Sequence, residues 1–214
     1  MTNDRLNGIL LILGSLGVML TLSLHPDGRQ LFSADTYTSA ALHMTLVHSL
    51  ALAALPLWFL GALGLSRRVR AVSDGLGIAG AVLYGFAIVA ILNALVFDGL
   101  VTPVVAGKIV QETEPIKDMW KVVLRYNGMV DMCFIYVYLA ASSVAIGLWS
   151  IAMVQGRGLP RILGAFGAVI AMVALGTLLS GLMSRYVHIF SGAILLQALW
   201  FALTGACLWR VRPA

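Results

Sequence analysis

The chain has 214 residues, of which 60% are hydrophobic and only 11% are charged, whereas roughly a quarter of the residues in soluble domains are charged. This composition excludes an ordinary soluble domain and predicts a protein embedded in a membrane. The net charge of +5 does not indicate a nucleic-acid partner, because the basic residues form no single basic face.

Six segments are apolar over the roughly 20 residues that a helix needs to cross a bilayer. They are residues 6–24, 41–65, 75–101, 129–154, 163–183 and 189–209. The first is expected to be retained, because residues 22–26 lack the small-x-small pattern that signal peptidase recognises. The alternation typical of a β-barrel is absent. We therefore predict an all-α polytopic membrane protein, a single domain of residues 1–214 with six transmembrane helices.

Basic residues alternate between the two ends of the predicted helices. One side carries Arg5, Arg67, Arg68, Arg70, Arg157, Arg161, Arg210 and Arg212, opposed by only Asp4 and Asp74. Short loops rich in arginine face the cytoplasm, so both termini are predicted to be cytoplasmic in a bacterial-type plasma (inner) membrane. The opposite, outer side also holds basic residues, together with nearly all of the acids.

An amphipathic pattern precedes the fourth span. Its apolar residues at helical spacing are Ile116, Met119, Trp120, Val123 and Leu124, and its basic residues on the other face are Lys117, Lys121 and Arg125. This pattern predicts one short helix near residues 114–126 that lies in the outer interface. Such a helix is either a simple membrane anchor or a lid over the polar residues considered below.

Aromatic and amide side chains inside the spans predict how the helices pack. Trp58, Trp149 and Trp200 lie near the inner ends of the second, fourth and sixth spans, where tryptophan typically forms an interfacial belt. Their similar placement is also consistent with a repeated two-helix hairpin. Asn93 and Gln197 are expected to form hydrogen bonds between helices.

Sequence motifs identify no reaction. Cys133 and Cys207 are predicted to lie near opposite ends of the bundle, beyond the roughly 6 Å between Cα atoms that a disulfide requires. The chain contains no CxxC pair, and it lacks a GxSxG nucleophile elbow, a phosphate loop and a dinucleotide fingerprint. The chemistry must therefore be sought in the distribution of ionisable side chains.

All four histidines fall at or near the outer ends of the predicted spans. They are His25, His43, His48 and His188, and the same level carries Asp98 and Asp131. Ionisable side chains close to the hydrocarbon are costly and usually serve a pathway, a ligand or a partner. These six residues are therefore predicted to form an outward-facing polar pocket.

The residue types in this pocket fit a metal ion. Imidazole and carboxylate ligands suit zinc, iron or copper, so all four histidines are candidate metal ligands. Asp98 and Asp131 are candidate catalytic residues, acting as further ligands, as acceptors that orient the ligands, or in proton transfer.

The spacing of the histidines limits how they could share a cofactor. His43 and His48 are five residues apart and therefore point about 140° apart around one helix, so one ion shared by them would need ligands from other helices. His48 and His188 are the deepest histidines along their helices, and two imidazoles on facing helices can alternatively hold a b-type haem.

These observations predict a membrane protein whose pocket binds a metal ion or haem for redox or hydrolytic chemistry on a small membrane-soluble substrate. Its surroundings are the lipid bilayer, and no nucleic-acid partner is expected. Two alternatives remain open. The same side chains could titrate in a small proton-coupled transporter, or the outer surface could dock a partner chain in a cofactor-free assembly subunit. Asp98 and Asp131 could also form structural salt bridges with Arg125 or Arg185.

Overall fold

The computed structural model describes residues 3–156, 159–182 and 187–210, without the side chains of residues 187 and 188. This part of the chain is helical almost throughout and contains no strand. The elements in chain order are α1 (Asn3–Leu24), a 3₁₀ turn (Gly28–Phe32), α2 (Tyr37–Arg70), α3 (Asp74–Val96), a π-helical turn (Phe97–Val101), α4 (Thr102–Gln111), α5 (Ile116–Gln155), α6 (Arg161–Leu179) and α7 (Val187–Arg210).

Within the described residues, six helices are long and apolar enough to cross a membrane: α1, α2, α3 continued through the π-helical turn into α4, α5, α6 and α7. The predicted all-α fold with six such helices is therefore confirmed. Helix α2 has 34 residues and α5 has 40, which correspond to about 51 and 60 Å at 1.5 Å per residue. Both exceed the roughly 30 Å of a bilayer core.

The amphipathic segment predicted near residues 114–126 is helical, but it is not a separate helix. It forms the first turns of α5, which continues without a break to Gln155. Gly128 lies between this segment and the predicted fourth span. A single glycine destabilises a helix by only about 1 kcal/mol relative to alanine, and no proline follows it, so the helix passes through. The segment therefore extends the fourth span instead of lying across it as a lid.

The two ends of the bundle differ in chemistry. We call the end that carries His25, His48 and Asp98 the histidine end, and the end that carries Arg67 and Arg68 the arginine end. At the histidine end, the first turns of α2 and helix α4 pack with the 3₁₀ turn around a small apolar cluster. Its buried residues are Leu31, Ala40, Met44 and Ala106.

The core is built around aromatic rings, and here one prediction was wrong. Trp58, Trp149 and Trp200 do not form an interfacial belt, because all three are fully buried. They surround Phe201, with ring centroids 5.0 to 6.1 Å from it. Glycines make the room: Gly80 lies against the indole of Trp149, and Gly164 and Gly167 lie on the packed face of α6.

The predictions for the two amide side chains had different outcomes. Gln197 does connect helices, since its Oε1 accepts hydrogen bonds from Tyr138 (3.1 Å) and Ser142 (2.9 Å) and its Nε2 donates to Ser143 (3.0 Å). Asn93 does not, because it donates to the Val89 carbonyl one turn back in its own helix. An amide in a span can thus donate its hydrogen bond within its own helix. The presence of an amide in a span is therefore not enough to predict a contact between helices.

The cysteines are both free. Cys133 is exposed on α5, and Cys207 is half-buried on α7. The prediction that they do not form a disulfide is confirmed.

Candidate metal centre

Three side chains from separate elements converge at the histidine end. His25 Nε2 lies 3.1 Å from Asp98 Oδ2, and His48 Nε2 lies 3.0 Å from the same oxygen. One ligand atom from each residue lies within 4.8 Å of the other two. We call these residues the His/Asp triad, and they form a group that could hold a metal ion.

Local sequence explains where each histidine stands. Pro26 disfavours the α conformation at the preceding residue, so α1 ends at Leu24 and His25 leaves the helix. His48 instead lies within α2 on its buried face, and only 3% of its side chain is exposed. The side chain of His25 is 37% exposed, which leaves the triad accessible from one side.

The second nitrogen of each imidazole faces a backbone carbonyl. His48 Nδ1 lies 2.8 Å from the Met44 oxygen, and His25 Nδ1 lies 3.1 Å from the Pro26 oxygen. A carbonyl only accepts hydrogen bonds, so Nδ1 carries the proton in both rings. A neutral ring then has a lone pair on Nε2. Both lone pairs would face one carboxylate oxygen, an arrangement that is favourable only with a cation between them.

Asp98 owes its position to the π-helical turn, a feature that often marks functional sites. Pro103 has no N–H to donate to the Gly99 carbonyl four residues earlier. The Thr45 hydroxyl of α2 donates to this carbonyl instead, at 3.4 Å. The Thr102 N–H bonds back five residues to the Phe97 carbonyl. The turn thereby directs Asp98 toward α1 and α2.

Two supporting residues were not found by sequence reasoning. Asn127 is buried on α5 and donates to the Phe97 carbonyl (3.1 Å) and to Thr102 Oγ1 (2.9 Å), which ties α5 to the π-helical turn. Gly99 faces His48 so closely that a Cβ would overlap the imidazole. The only sequence signal for Asn127 is its position one helical turn before Asp131 on the same face.

Asp131 lies beside the triad without joining it. It is close enough to interact electrostatically with Asp98, His48 and His25. Its Oδ1 is buried and has no hydrogen-bond partner in the described part of the chain. Asp131 therefore offers an unpaired carboxylate oxygen next to the triad.

The other predicted site residues are not brought to this point. His43 is exposed on α2, as expected from the 140° that separates it from His48 around the helix. The His188 side chain and all of Arg185 lie outside the described residues. Asp98 pairs with the two histidines, and among the described ion pairs neither it nor Asp131 forms the salt bridge to Arg125 that was considered.

The charge balance of the triad favours a cation. The hydrogen bond and the negative charge of Asp98 raise the pKa of His25, and partial burial opposes this rise. The triad thus attracts either protons or another positive ion. A tetrahedral metal with ligand bonds of about 2.0 to 2.2 Å places adjacent ligand atoms about 3.3 to 3.6 Å apart. The N···O separations here are 3.0 and 3.1 Å, so each nitrogen would need only a small outward shift from the carboxylate oxygen.

No family model matches this chain, and no curated protein or solved structure matches it either.

Proposed function

We propose that the His/Asp triad binds one divalent first-row metal ion, with His25 Nε2, His48 Nε2 and an Asp98 oxygen as its ligands. The observation that carries the proposal is the convergence of both Nε2 atoms on one Asp98 oxygen while both Nδ1 atoms face backbone carbonyls. Histidines that bind metals characteristically donate their other N–H to a carbonyl or carboxylate.

The ligand set points to catalysis. Two histidines and one carboxylate, with at least one open position, form the ligand set of hydrolytic zinc sites and of non-haem iron(II) oxygenases. A water molecule in the open position would be acidified by the ion. Asp131, with its unpaired buried oxygen, is the group available to accept that proton.

The level of the triad supports a membrane-soluble substrate. His48 is about 28 Å from Arg67 along α2, and Asp131 is about 36 Å from Gln155 along α5, at the helical rise of 1.5 Å per residue. These lengths match the roughly 30 Å bilayer core. If the arginine end faces the cytoplasm, the metal lies at the outer boundary of the bilayer, where a lipid-dissolved molecule can reach the exposed side of His25.

A haem is less well supported than a metal ion. The rings of His25 and His48 are 5.1 Å apart at an angle of 72°, which leaves no planar slot between them. The alternative pair of His48 and His188 stays a prediction, because the side chain of His188 is not described. Copper would draw on methionine sulfur, and Met44, the nearest methionine in sequence to His48, is buried in the apolar cluster of the histidine end.

A second candidate is a proton-binding site in a small transporter. The same convergence accommodates protons on both Nε2 atoms, which would give two imidazolium groups around one carboxylate. His25, with its raised pKa, supports this occupancy. The cost is a second positive charge on His48, which is almost fully buried, and a buried charge is expensive unless fully compensated.

Elemental analysis with an absorbance spectrum distinguishes these candidates. The full chain is purified without chelators from cells supplied with zinc, iron, copper and a haem precursor. We expect about one equivalent of a first-row metal per chain and no Soret band. A Soret band would indicate haem. Absence of both metal and haem would exclude the proposal and leave the proton site.

A further inference from the structure

A second group of polar atoms lies deep in the bundle, away from the triad. Six fully buried side chains each carry a polar atom that has no hydrogen-bond partner among the described residues. These atoms are Ser15 Oγ, Trp58 Nε1, Tyr84 OH, Trp149 Nε1, Ser150 Oγ and Thr204 Oγ1. Within a bilayer no bulk solvent can satisfy such groups, and buried polar groups left over by the protein typically bind water.

Several of these atoms belong to one aromatic cluster. Tyr84 is at its centre, with its ring 6.1 Å from that of Trp58 and 5.6 Å from that of Trp149. The Trp149 Nε1 lies directly against Gly80, and the indole occupies the place that a side chain there would fill. The groups on Trp58, Tyr84 and Trp149 therefore come from different helices but share one region of the core.

A cavity lies at the arginine end of the bundle. It measures about 280 Å³ and lies between the ends of α2 and α5, with Arg68, Val72, Ala152 and Met153 in its wall. Ala152 and Met153 are one helical turn from Trp149 along α5. The cavity wall thus lies about one helical turn along α5 from Trp149, which carries one of the unpartnered polar atoms.

A fully paired network lies beyond Tyr84. Tyr84 is close enough to Tyr138 for the two to interact electrostatically, and Tyr138 belongs to the network centred on Gln197. Phe97 adjoins Asp98 in the chain, Phe134 lies one helical turn before Tyr138 on α5, and the two rings stack with their centroids 5.9 Å apart. This aromatic pair is an apolar layer between the two polar regions.

We propose that the arginine-end half of the bundle is a hydrated half-channel. Water bound to the six unpartnered groups continues the cavity inward to Tyr84 and gives water and protons access to the Tyr138–Gln197 network. The layer of Phe97 and Phe134 ends the path before the His/Asp triad. This inference does not depend on whether the triad binds a metal.

Radiolytic footprinting tests the proposal, because hydroxyl radicals formed from bound water oxidise the side chains beside it even when these are buried. The measurement is made on the full chain in lipid nanodiscs, and Trp200 of the same chain is the control. Trp200 is as buried as Trp58 and Trp149, but its Nε1 donates to the Leu163 carbonyl at 2.8 Å. We expect Trp58 and Trp149 to be oxidised several-fold faster than Trp200. Equal protection of all three would overturn the proposal.

The substitution Tyr84→Phe provides a second test that needs no labelling. If the hydroxyl is bound to water, its loss removes a hydrogen bond and lowers the melting temperature, as Tyr138→Phe should do by breaking the bond to Gln197. If the hydroxyl is dry, its removal relieves an unsatisfied group and raises the melting temperature. A fall supports the half-channel, and a rise or no change contradicts it.

The connection to the arginine end is tested by filling the cavity. Val72→Phe places a larger side chain in its wall, so oxidation of Trp149 should fall several-fold relative to wild type. Unchanged oxidation of Trp149 in a folded variant would show that its water does not come from this cavity, which would overturn the path.

Discussion

The imidazole of His48 lies directly against Gly99, the residue that follows Asp98. A methyl group at Gly99 would occupy the place of the ring. This contact holds the buried histidine against the π-helical turn that carries its carboxylate partner.

Gly99→Ala should therefore displace His48 from Asp98. Overpacking of this kind typically destabilises a protein by about 1 to 3 kcal/mol, and we expect a lower melting temperature together with loss of bound metal. The matched control is Gly128→Ala on α5, where a Cβ would meet nothing within 4 Å. There we expect equal or greater stability, since alanine favours an uninterrupted helix. Normal metal content in Gly99→Ala would contradict the close contact.

His48→Ala and His43→Ala form a matched pair on one helix. The first removes a ligand, and we expect metal affinity to fall by more than the roughly 10- to 100-fold that follows loss of an outer partner. The second alters an exposed ring outside the triad and should leave affinity unchanged. Titration of both apoproteins with zinc or iron(II) measures the difference. Equal affinities would remove His48 from the site.

Asn127→Leu should weaken the site without touching a ligand. It leaves the Phe97 carbonyl and the Thr102 hydroxyl without the Asn127 donor, so we expect a loss of about 1 to 3 kcal/mol in stability and about 10- to 100-fold in metal affinity. Asn93→Leu is the control, because Asn93 bonds only within its own helix. If both variants bind metal equally, Asn127 does not position Asp98.

The metal-free protein should become less stable as pH rises. Asp98 raises the pKa of His25, so the folded state holds this proton more tightly than the unfolded chain does. That contribution is complete below the ordinary histidine pKa near 6.5 and is lost as pH rises through the higher folded value. The other charged or titratable groups close to His25 and Asp98 are His48 and Asp131. His25→Gln should flatten the profile of melting temperature against pH between about 6 and 8.

Metal affinity should depend on pH in the opposite direction. The ion competes with protons for the same nitrogen atoms, so affinity should increase as pH rises over the same interval. An affinity independent of pH would argue against imidazole ligands.

The predicted orientation can be tested with alkaline phosphatase fusions, which are active only outside the cytoplasm. A fusion after Ala34, in the connection between α1 and α2, should be active, and a fusion after Gly156, at the end of α5, should be inactive. Activity confined to the second fusion would reverse the orientation and place the triad at the inner boundary.

The number of helices and the level of the polar residues in the membrane could be predicted because both depend on the length of a membrane-spanning helix. Apolar segments of about 20 residues place their ends at common heights, so Asp98 and His48 were expected to lie near each other. The rotation of each helix was not fixed in this way. Whether His43 or His48 faces Asp98 depends on the rotation of α2 about its own axis.

Other features depend on contacts between distant residues. The π-helical turn needs Thr45 and Asn127 from other helices to satisfy the carbonyls of Gly99 and Phe97. Trp149 is buried because Gly80 on a different helix admits its ring. Periodicity within one segment contains no information about such partners, so the tryptophans were assigned to the interface when they belong to the core.

X-ray absorption at the metal edge of the purified, metal-loaded protein identifies the ligand atoms of the proposed site. We expect nearest neighbours that are all nitrogen or oxygen at about 2.0 to 2.2 Å, with outer-shell scattering from two imidazole rings. The spectrum should be unchanged in His43→Ala and should lose one imidazole in His48→Ala. Sulfur neighbours near about 2.3 Å, or imidazole scattering that persists unchanged in His48→Ala, would contradict a metal held by His25, His48 and Asp98.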